Sequence, residues 1–187
     1  MKKIVLFASG SGTNAENIIV HFNKGSQSNV VGVFTNNPHA KVVERAKNHK
    51  INVLIFNKEE LLQGNVLQQL KDIQPDLIVL AGFLLKFPEH IIEEFPNRII
   101  NIHPALLPNY GGKGMYGMNV HKAVLENHEK ETGITIHYVN EHYDEGGIIF
   151  QQAVNIEECT IPEQIAEKVH ELEHEYFPKV IEKLLES

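Results

Sequence analysis

With 187 residues, 42% of them hydrophobic, the chain is long enough for one substantial core and short for two. Its 24 acidic against 17 basic residues give a formal charge of -7, which argues against nucleic acid or an acidic membrane surface as partner and favours a small-molecule ligand. The single Cys159 has no internal disulfide partner, as a cytoplasmic protein tolerates, and no stretch carries a signal pattern or nears the roughly 20 apolar residues of a membrane span.

The first apolar run, IVLFA at 4–8, predicts a strand that turns through ASGSGTNAEN (8–17) into a helix over 14–22. Gly10 and Gly12 let the backbone approach a ligand, and the free N–H groups of a helix start suit a phosphate, with Thr13 and Asn14 adding side-chain donors. The spacing fits G-x-G-x-x-A. A dinucleotide site also needs an acidic residue closing the second strand, where Thr35-Asn36-Asn37 stands, and the Walker lysine is absent. A phosphate monoester is therefore favoured over NAD or ATP. The plain alternative is a tight turn in which Thr or Asn caps the helix.

VVGVF (30–34), INVLIF (51–56), DLIVLAG (76–82) and RIINI (98–102) predict four further strands, separated by helical patterns at 39–49, 58–72 and 88–95. Gly64-Asn65 divides the second of these helical stretches. Near-continuously apolar strands alternating with helices imply a parallel, doubly wound α/β sheet. At the carboxyl end of the fifth strand, where open α/β sheets place ligands, period-two alternation turns Asn101 and His103 to one side and Ile102 to the other. An amide NH2 and an imidazolium are both donors suited to the oxyanion of a carbonyl becoming tetrahedral, and His103 can also shuttle a proton. The alternative for His103 is a strand-end histidine bonded to a backbone carbonyl.

Residues 103–118, HPALLPNYGGKGMYGM, predict a long functional loop. A helix over 119–127 follows, then strands at 133–139 and 147–154 joined by the polar turn NEHYDEG. Asp144 lies in that turn; near His103 it would raise the imidazole pKa and keep the ring charged, and otherwise it is a plain turn residue. The final helix starts at Pro162 behind the possible cap Thr160 and carries Ile165, Val169, Leu172, Tyr176, Val180 and Leu184 on its buried stripe. In it, His170-Glu171-Leu172-Glu173-His174 fits the H-E-x-x-H zinc-hydrolase pattern. That chemistry also needs a third protein ligand and an open cleft, whereas these histidines flank the buried stripe, and neither His137 nor His142 stands at tight metal spacing from them. His121 and His128 are expected on solvated faces.

Together SGSGTN, LAGFLLKF, NIHPALLPNYGG and DEGGIIFQ resemble, in order and spacing, the phosphoribosylglycinamide formyltransferase family over nearly the whole chain. The resemblance implies a Rossmann-like formyltransferase fold with a mostly parallel central sheet of about seven strands, helices on both faces and a late antiparallel strand pair. It implies one domain over 1–187, with a phosphate-binding half (1–100) and a catalytic and folate-binding half (101–187). The family moves the formyl group of 10-formyltetrahydrofolate, a cosubstrate, to the amine of glycinamide ribonucleotide in purine (IMP) synthesis, without metal.

On this resemblance Gly12, Thr13 and Asn14 hold the substrate phosphate, with Glu173 and His170 reaching the ribonucleotide from the last helix. Asn101 and His103 stabilise the oxyanion, and Asp144 orients His103. Leu84, Leu85, Lys86 and Phe87, with Asn101 and Asn140, Glu141, His142, Tyr143 and Asp144, line the folate pocket. A monomer and a homodimer both remain open. Three positions depart from the family pattern: Leu85-Lys86 replaces a frequent arginine, the loop YGGKGMYGMNVH is longer, and Gly147 stands where proline is usual. Methionyl-tRNA formyltransferases and formyltetrahydrofolate deformylases resemble the same core but carry an added C-terminal barrel or N-terminal regulatory module, neither of which is expected here.

Overall fold

The computed structural model describes residues 1–25 and 27–186. Five parallel strands, β1 (Lys2–Phe7), β2 (Ser28–Thr35), β3 (Val53–Ile55), β4 (Leu77–Leu80) and β5 (Ile99–His103), are followed by an antiparallel pair, β6 (Glu131–Tyr138) and β7 (Ile148–Asn155). They form one sheet in the order β3-β2-β1-β4-β5-β6-β7. The helices are α1 (Thr13–Phe22), α2 (Lys41–Asn48), α3 (Lys58–Leu62), α4 (Asn65–Ile73), α5 (Glu89–Glu94), α6 (Met118–Glu126) and α7 (Pro162–Glu186). This is the expected Rossmann-like α/β sheet, parallel over most of its width, with helices on both faces.

Strand alternation builds two cores. Ile4 and Leu6 of β1 join Ala15, Ile18, Val42, Val120, Ile165 and Phe177 of α1, α2, α6 and α7. Val5 and Phe7 point the other way, to Leu61, Leu70 and Ile91 of α3, α4 and α5. Phe7 is the hub of this second layer, edge-on to Phe87 at 5.1 Å and tilted against Phe34 at 5.0 Å. Full burial of such a ring contributes about 1.5–3 kcal/mol.

Several local expectations shift. The third strand is confined to Val53–Ile55, because it is an edge paired to β2 alone, and Phe56 turns into the core instead of extending it. Gly64, at φ 96, divides the next helical stretch as predicted, closing α3 and opening α4. Just before α7, the Thr160 and Ile161 backbone N–H groups and the Thr160 hydroxyl all donate to Gln164 Oε1, so the Thr160 side chain acts as a donor and not as the helix cap. The deepest stripe of α7 is Ile165, Val169, Glu173, Phe177 and Ile181, at strict i, i+4 spacing. Leu172, Tyr176, Val180 and Leu184 pack beside it, half-buried. The stripe is thus rotated from the expected one, and a carboxylate occupies one of its positions.

The β5–β6 register sets the site. Asn101 pairs with His137 and His103 with Thr135. Ile100, Ile102, Ile134 and Ile136 enter the α1/α6/α7 core, so the four polar side chains share the opposite face.

Candidate active site

At the carboxyl ends of β1, β4 and β5 lies a cavity of about 810 Å3, of the size expected for small-molecule sites. Its walls come from the β1–α1 turn, the segment after β4, the end of β5, the loop before α6, the turn between β6 and β7, and one edge of α7.

The β1–α1 turn offers mainly backbone. Gly12 is the N-cap of α1, at φ 72, and no side chain caps the helix, so its first N–H groups face the cavity unpaired. The capped-turn alternative does not describe it. Only glycine fits here: a Cβ on Gly12 would lie 2.4 Å from Val42 Cγ2. Arg45 braces the turn from α2, its Nε donating to the Ser11 carbonyl at 2.9 Å while its guanidinium pairs with Glu16. The side chains of Thr13 and Asn14 are engaged with α7. Thr13 Oγ1 lies 3.1 Å from His170 Nε2, and Asn14 Nδ2 donates to Glu173 Oε2 at 2.8 Å. His170 Nδ1 donates to the same oxygen at 3.1 Å, and that bond holds the His170 pKa above its ordinary 6.5 despite partial burial. His174 shifts the other way, lowered first by burial and then by the neighbouring His170 charge. The HELEH segment therefore serves as the cavity's α7 edge. Among the described residues no group of three His, Cys, Asp or Glu is placed to hold a metal ion.

The β5–β6 crossing is built from two buried histidines, His103 and His137, and the half-buried Asn101 and Asp144. His103, 3% exposed, has Nδ1 3.5 Å from Asp144 Oδ2, and its Nε2 donates to the Tyr110 carbonyl at 2.7 Å. A carbonyl only accepts, so Nε2 carries the proton. Burial lowers the His103 pKa and outweighs the pull of Asp144 and of the Tyr110 bond in the other direction. The expected charged, pKa-raised histidine is thus corrected: the ring rests neutral beside an ionised carboxylate, because desolvating an imidazolium costs more here than Asp144 returns. For Asp144, burial alone would raise the carboxyl. The neighbouring His137 ring, 3.6 Å away, the charge of His103 and the Gly112 N–H at 3.0 Å together hold it below the ordinary 3.8.

His137 ties this cluster together, and its role was not legible in sequence. Its Nδ1 donates to the Tyr138 carbonyl at 2.9 Å, while its Nε2 lies 3.2 Å from Asn101 Nδ2 and 3.6 Å from Asp144 Oδ1. Asn101 and His103 do not touch each other; His137 and Asp144 bridge them. The backbone around His103 is strained to reach it, since Tyr110 and Asp144 both sit at φ 56, a region that suits few side chains. Gly146 allows the Asp144 turn to close, because a Cβ there would lie 1.6 Å from the Tyr138 carbonyl oxygen.

Between these ends run Leu84, Leu85 and Lys86 on one wall and Asn140, His142 and Tyr143 on the other, with Lys86 Nζ 5.9 Å from the centre of the Tyr143 ring. Phe83 and Val139 belong to the same slot. Phe87 also lines the cavity while its ring packs edge-on against Phe7. One expected member differs: Glu141 is exposed, 3.6 Å from His142, outside the cavity lining. Residues 112–118 and His121 form a roof. His121 is buried at 5% exposure and not solvated as its sequence context suggested.

A parallel sheet with a backbone anion cradle at one end of the cavity and a buried amide-imidazole-carboxylate cluster at the other defines a group-transfer enzyme fold, and the chain belongs to the formyl transferase family, whose model matches residues 2–181. Several of its relatives are phosphoribosylglycinamide formyltransferases. It is 40% identical to the chloroplastic enzyme of Arabidopsis thaliana over all of this chain and 66% of that protein, and 36% identical to the Bacillus subtilis enzyme over 99% of this chain and 95% of that one. The solved phosphoribosylglycinamide formyltransferase of Bacillus halodurans superposes with a TM-score of 0.89 at 40% identity, covering 98% of this chain and 95% of its own. The chain thus spans about two thirds of the plant relative and nearly all of the bacterial ones.

Proposed function

We propose that this chain transfers the formyl group of 10-formyltetrahydrofolate to the amine of N1-(5-phospho-D-ribosyl)glycinamide, giving the N-formyl product and tetrahydrofolate in de novo purine (IMP) synthesis. The observation that carries the reading is that the Gly12 turn and the Asn101-His103-Asp144 cluster open into one cavity, with Glu173 between them on the α7 edge. The family kinship and the identity to named relatives support it from a separate direction.

The phosphate is received by the unpaired N–H groups at the start of α1, where the helix dipole adds partial positive charge. Thr13 and Asn14 keep their side chains on His170 and Glu173, so they contribute through backbone and by fixing α7. Glu173 uses Oε2 for these anchors, and its carboxylate faces the ribosyl and amine groups. For the folate, the slot fits a flat heterocycle: apolar walls from Leu84, Leu85 and Val139 end at the polar Asn140, Asn101 and Asp144. When bound, the formyl donor supplies an electrophilic carbonyl carbon.

Asn101 has one amide N–H turned to His137, and the second is free to donate to the formyl oxygen as negative charge develops there. His103, neutral at rest, takes the proton that the attacking amine must lose as its C–N bond forms. Asp144 then offsets the imidazolium charge, and the proton passes on to the nitrogen released when the donor's C–N bond breaks. A metal has no part in this scheme. We place the enzyme in the cytoplasm; Cys159 is a free thiol, and among the described residues no helix is long and apolar enough to cross a membrane.

Tetrahydrofolate release followed spectroscopically tests the reading. It should require both the ribosylglycinamide phosphate and the formyl donor, and should persist in EDTA. Formate released without the amine would assign a deformylase instead, and EDTA-sensitive turnover restored by zinc would revive the His170/His174 hydrolase.

A further inference from the structure

Two side chains that line the cavity keep a buried polar atom without a hydrogen-bond partner: Asn14, whose Oδ1 is bare while its Nδ2 is anchored on Glu173, and His121, which has no hydrogen-bond partner among the described residues. His121, on the first turns of α6, is buried at 5% exposure, lines the roof of the cavity, and has its Nδ1 sealed from solvent without a partner. Its neighbours Val120 and Val124 are fully buried in the core, so a histidine in this phase of the helix gains nothing from the packing that a leucine would not provide. Burying a ring nitrogen without a partner is costly, and the cost is smaller for a bare lone pair than for an N–H. In the neutral ring the proton therefore resides on Nε2, at the edge that meets the cavity. Burial lowers its pKa, opposed by the charge of Glu173 and reinforced by that of His103, and both of those groups line the same cavity.

From this geometry we propose that His121 is a substrate contact, donating through Nε2 to an acceptor oxygen of the phosphoribosylated amine, a ribose hydroxyl or the glycinamide carbonyl. The inference rests on the function proposed above and adds a residue to its amine-binding side. The contact is made in the ground state and the transition state alike, so it acts on affinity for the amine and leaves the formyl donor's site untouched.

Three variants, His121→Leu, His121→Gln and His121→Asn, test it by steady-state kinetics and by calorimetric titration with N1-(5-phospho-D-ribosyl)glycinamide. Glutamine can present an N–H near the position of Nε2, asparagine only near that of Nδ1. His121→Leu should raise KM and Kd for the amine about tenfold, the scale of one lost hydrogen bond, with KM for the formyl donor unchanged. His121→Gln should recover most of the loss and His121→Asn little of it. An unchanged Kd in His121→Leu, equal impairment of all three variants, recovery by asparagine alone, or a parallel rise in KM for the donor would each overturn the contact. A wild-type chain that neither binds nor formylates the amine would instead sink the proposed function, and this inference with it. Unimpaired turnover in wild type with insensitive variants would sink the inference alone.

Discussion

At the β1–α1 turn the groups available to a ligand are backbone N–H donors shaped by Gly12, whereas at the β5–β6 crossing they are side chains from three elements locked to one another by Asp144 and His137. The first region is a conformation: it needs a glycine at φ 72, Val42 close against it and Arg45 holding the Ser11 carbonyl. The second is a composition, in which each group has a chemical task and a partner that sets its protonation. Substitutions should therefore act differently in the two places, on binding and folding at the turn and on the chemical step at the crossing.

The largest effects are expected at the crossing. His103→Ala removes the proton acceptor, and Asp144→Asn removes the charge that offsets the imidazolium, so each should lower kcat about 10²–10⁴-fold. KM for the amine should move little, because the phosphate is held elsewhere. Thermal unfolding of both variants should stay near that of the wild type. Near-normal kcat in either would remove the distinction between the two regions.

A smaller and different effect is expected from Gly12→Ala. The new methyl group meets Val42 and requires a left-handed backbone, so folding stability should fall by about 1–3 kcal/mol. KM for the amine should rise about tenfold or more as the N–H groups lose their aim, with kcat at saturation largely kept. A chemical denaturation curve and an amine titration on the same preparation separate the two losses. A fall in kcat alone, at unchanged KM, would place the turn in the chemistry and blur the contrast.

The turn was the more legible region in sequence, because a glycine pair between an apolar strand and a helix is a local signal. At the crossing, Asn101 and His103 were legible through strand alternation, yet His137 was not. Its place beside Asn101 depends on the register of an antiparallel pair 36 residues apart in sequence, which no local pattern encodes. Glu173 illustrates a readable signal taken in the wrong phase. Ile165, Val169, Phe177 and Ile181 repeat every fourth residue or a multiple of it, and a carboxylate filling the missing position of such a stripe marks a buried polar site. His121 falls between Val120 and Val124 in the same manner, but one ring next to two valines in a short helix does not distinguish a buried face from a solvated one. The charge state of His103 also lay beyond sequence, since it is decided by the balance between burial of the ring, which lowers its pKa, and the Asp144 charge and Tyr110 bond, which raise it.

The finest test of the comparison is titration, because the cavity-lining histidines of the two regions, His170 on one side and His103 and His121 on the other, shift in opposite directions. His170, beside the turn, is raised above 6.5 chiefly by its bond to Glu173, whereas His103 and His121, at the crossing and roof, are lowered chiefly by burial. A raised imidazole stabilises the fold below the unfolded value of 6.5, and that contribution is lost as pH climbs through the folded pKa. A lowered one is stabilising above 6.5, and its contribution is lost as pH drops toward the folded pKa. Acidification from neutrality should therefore strengthen the α1–α7 contact at Thr13 and His170 while weakening the crossing. Imidazole proton resonances followed by NMR should show His170 titrating above 6.5 and both His103 and His121 below it. Substituting Glu173→Gln should bring His170 back toward 6.5, because the bond that raises it loses its charge. If His170 still titrated high in that variant, the α7 edge would owe its charge to another group, and its separation from the crossing would need a different physical cause.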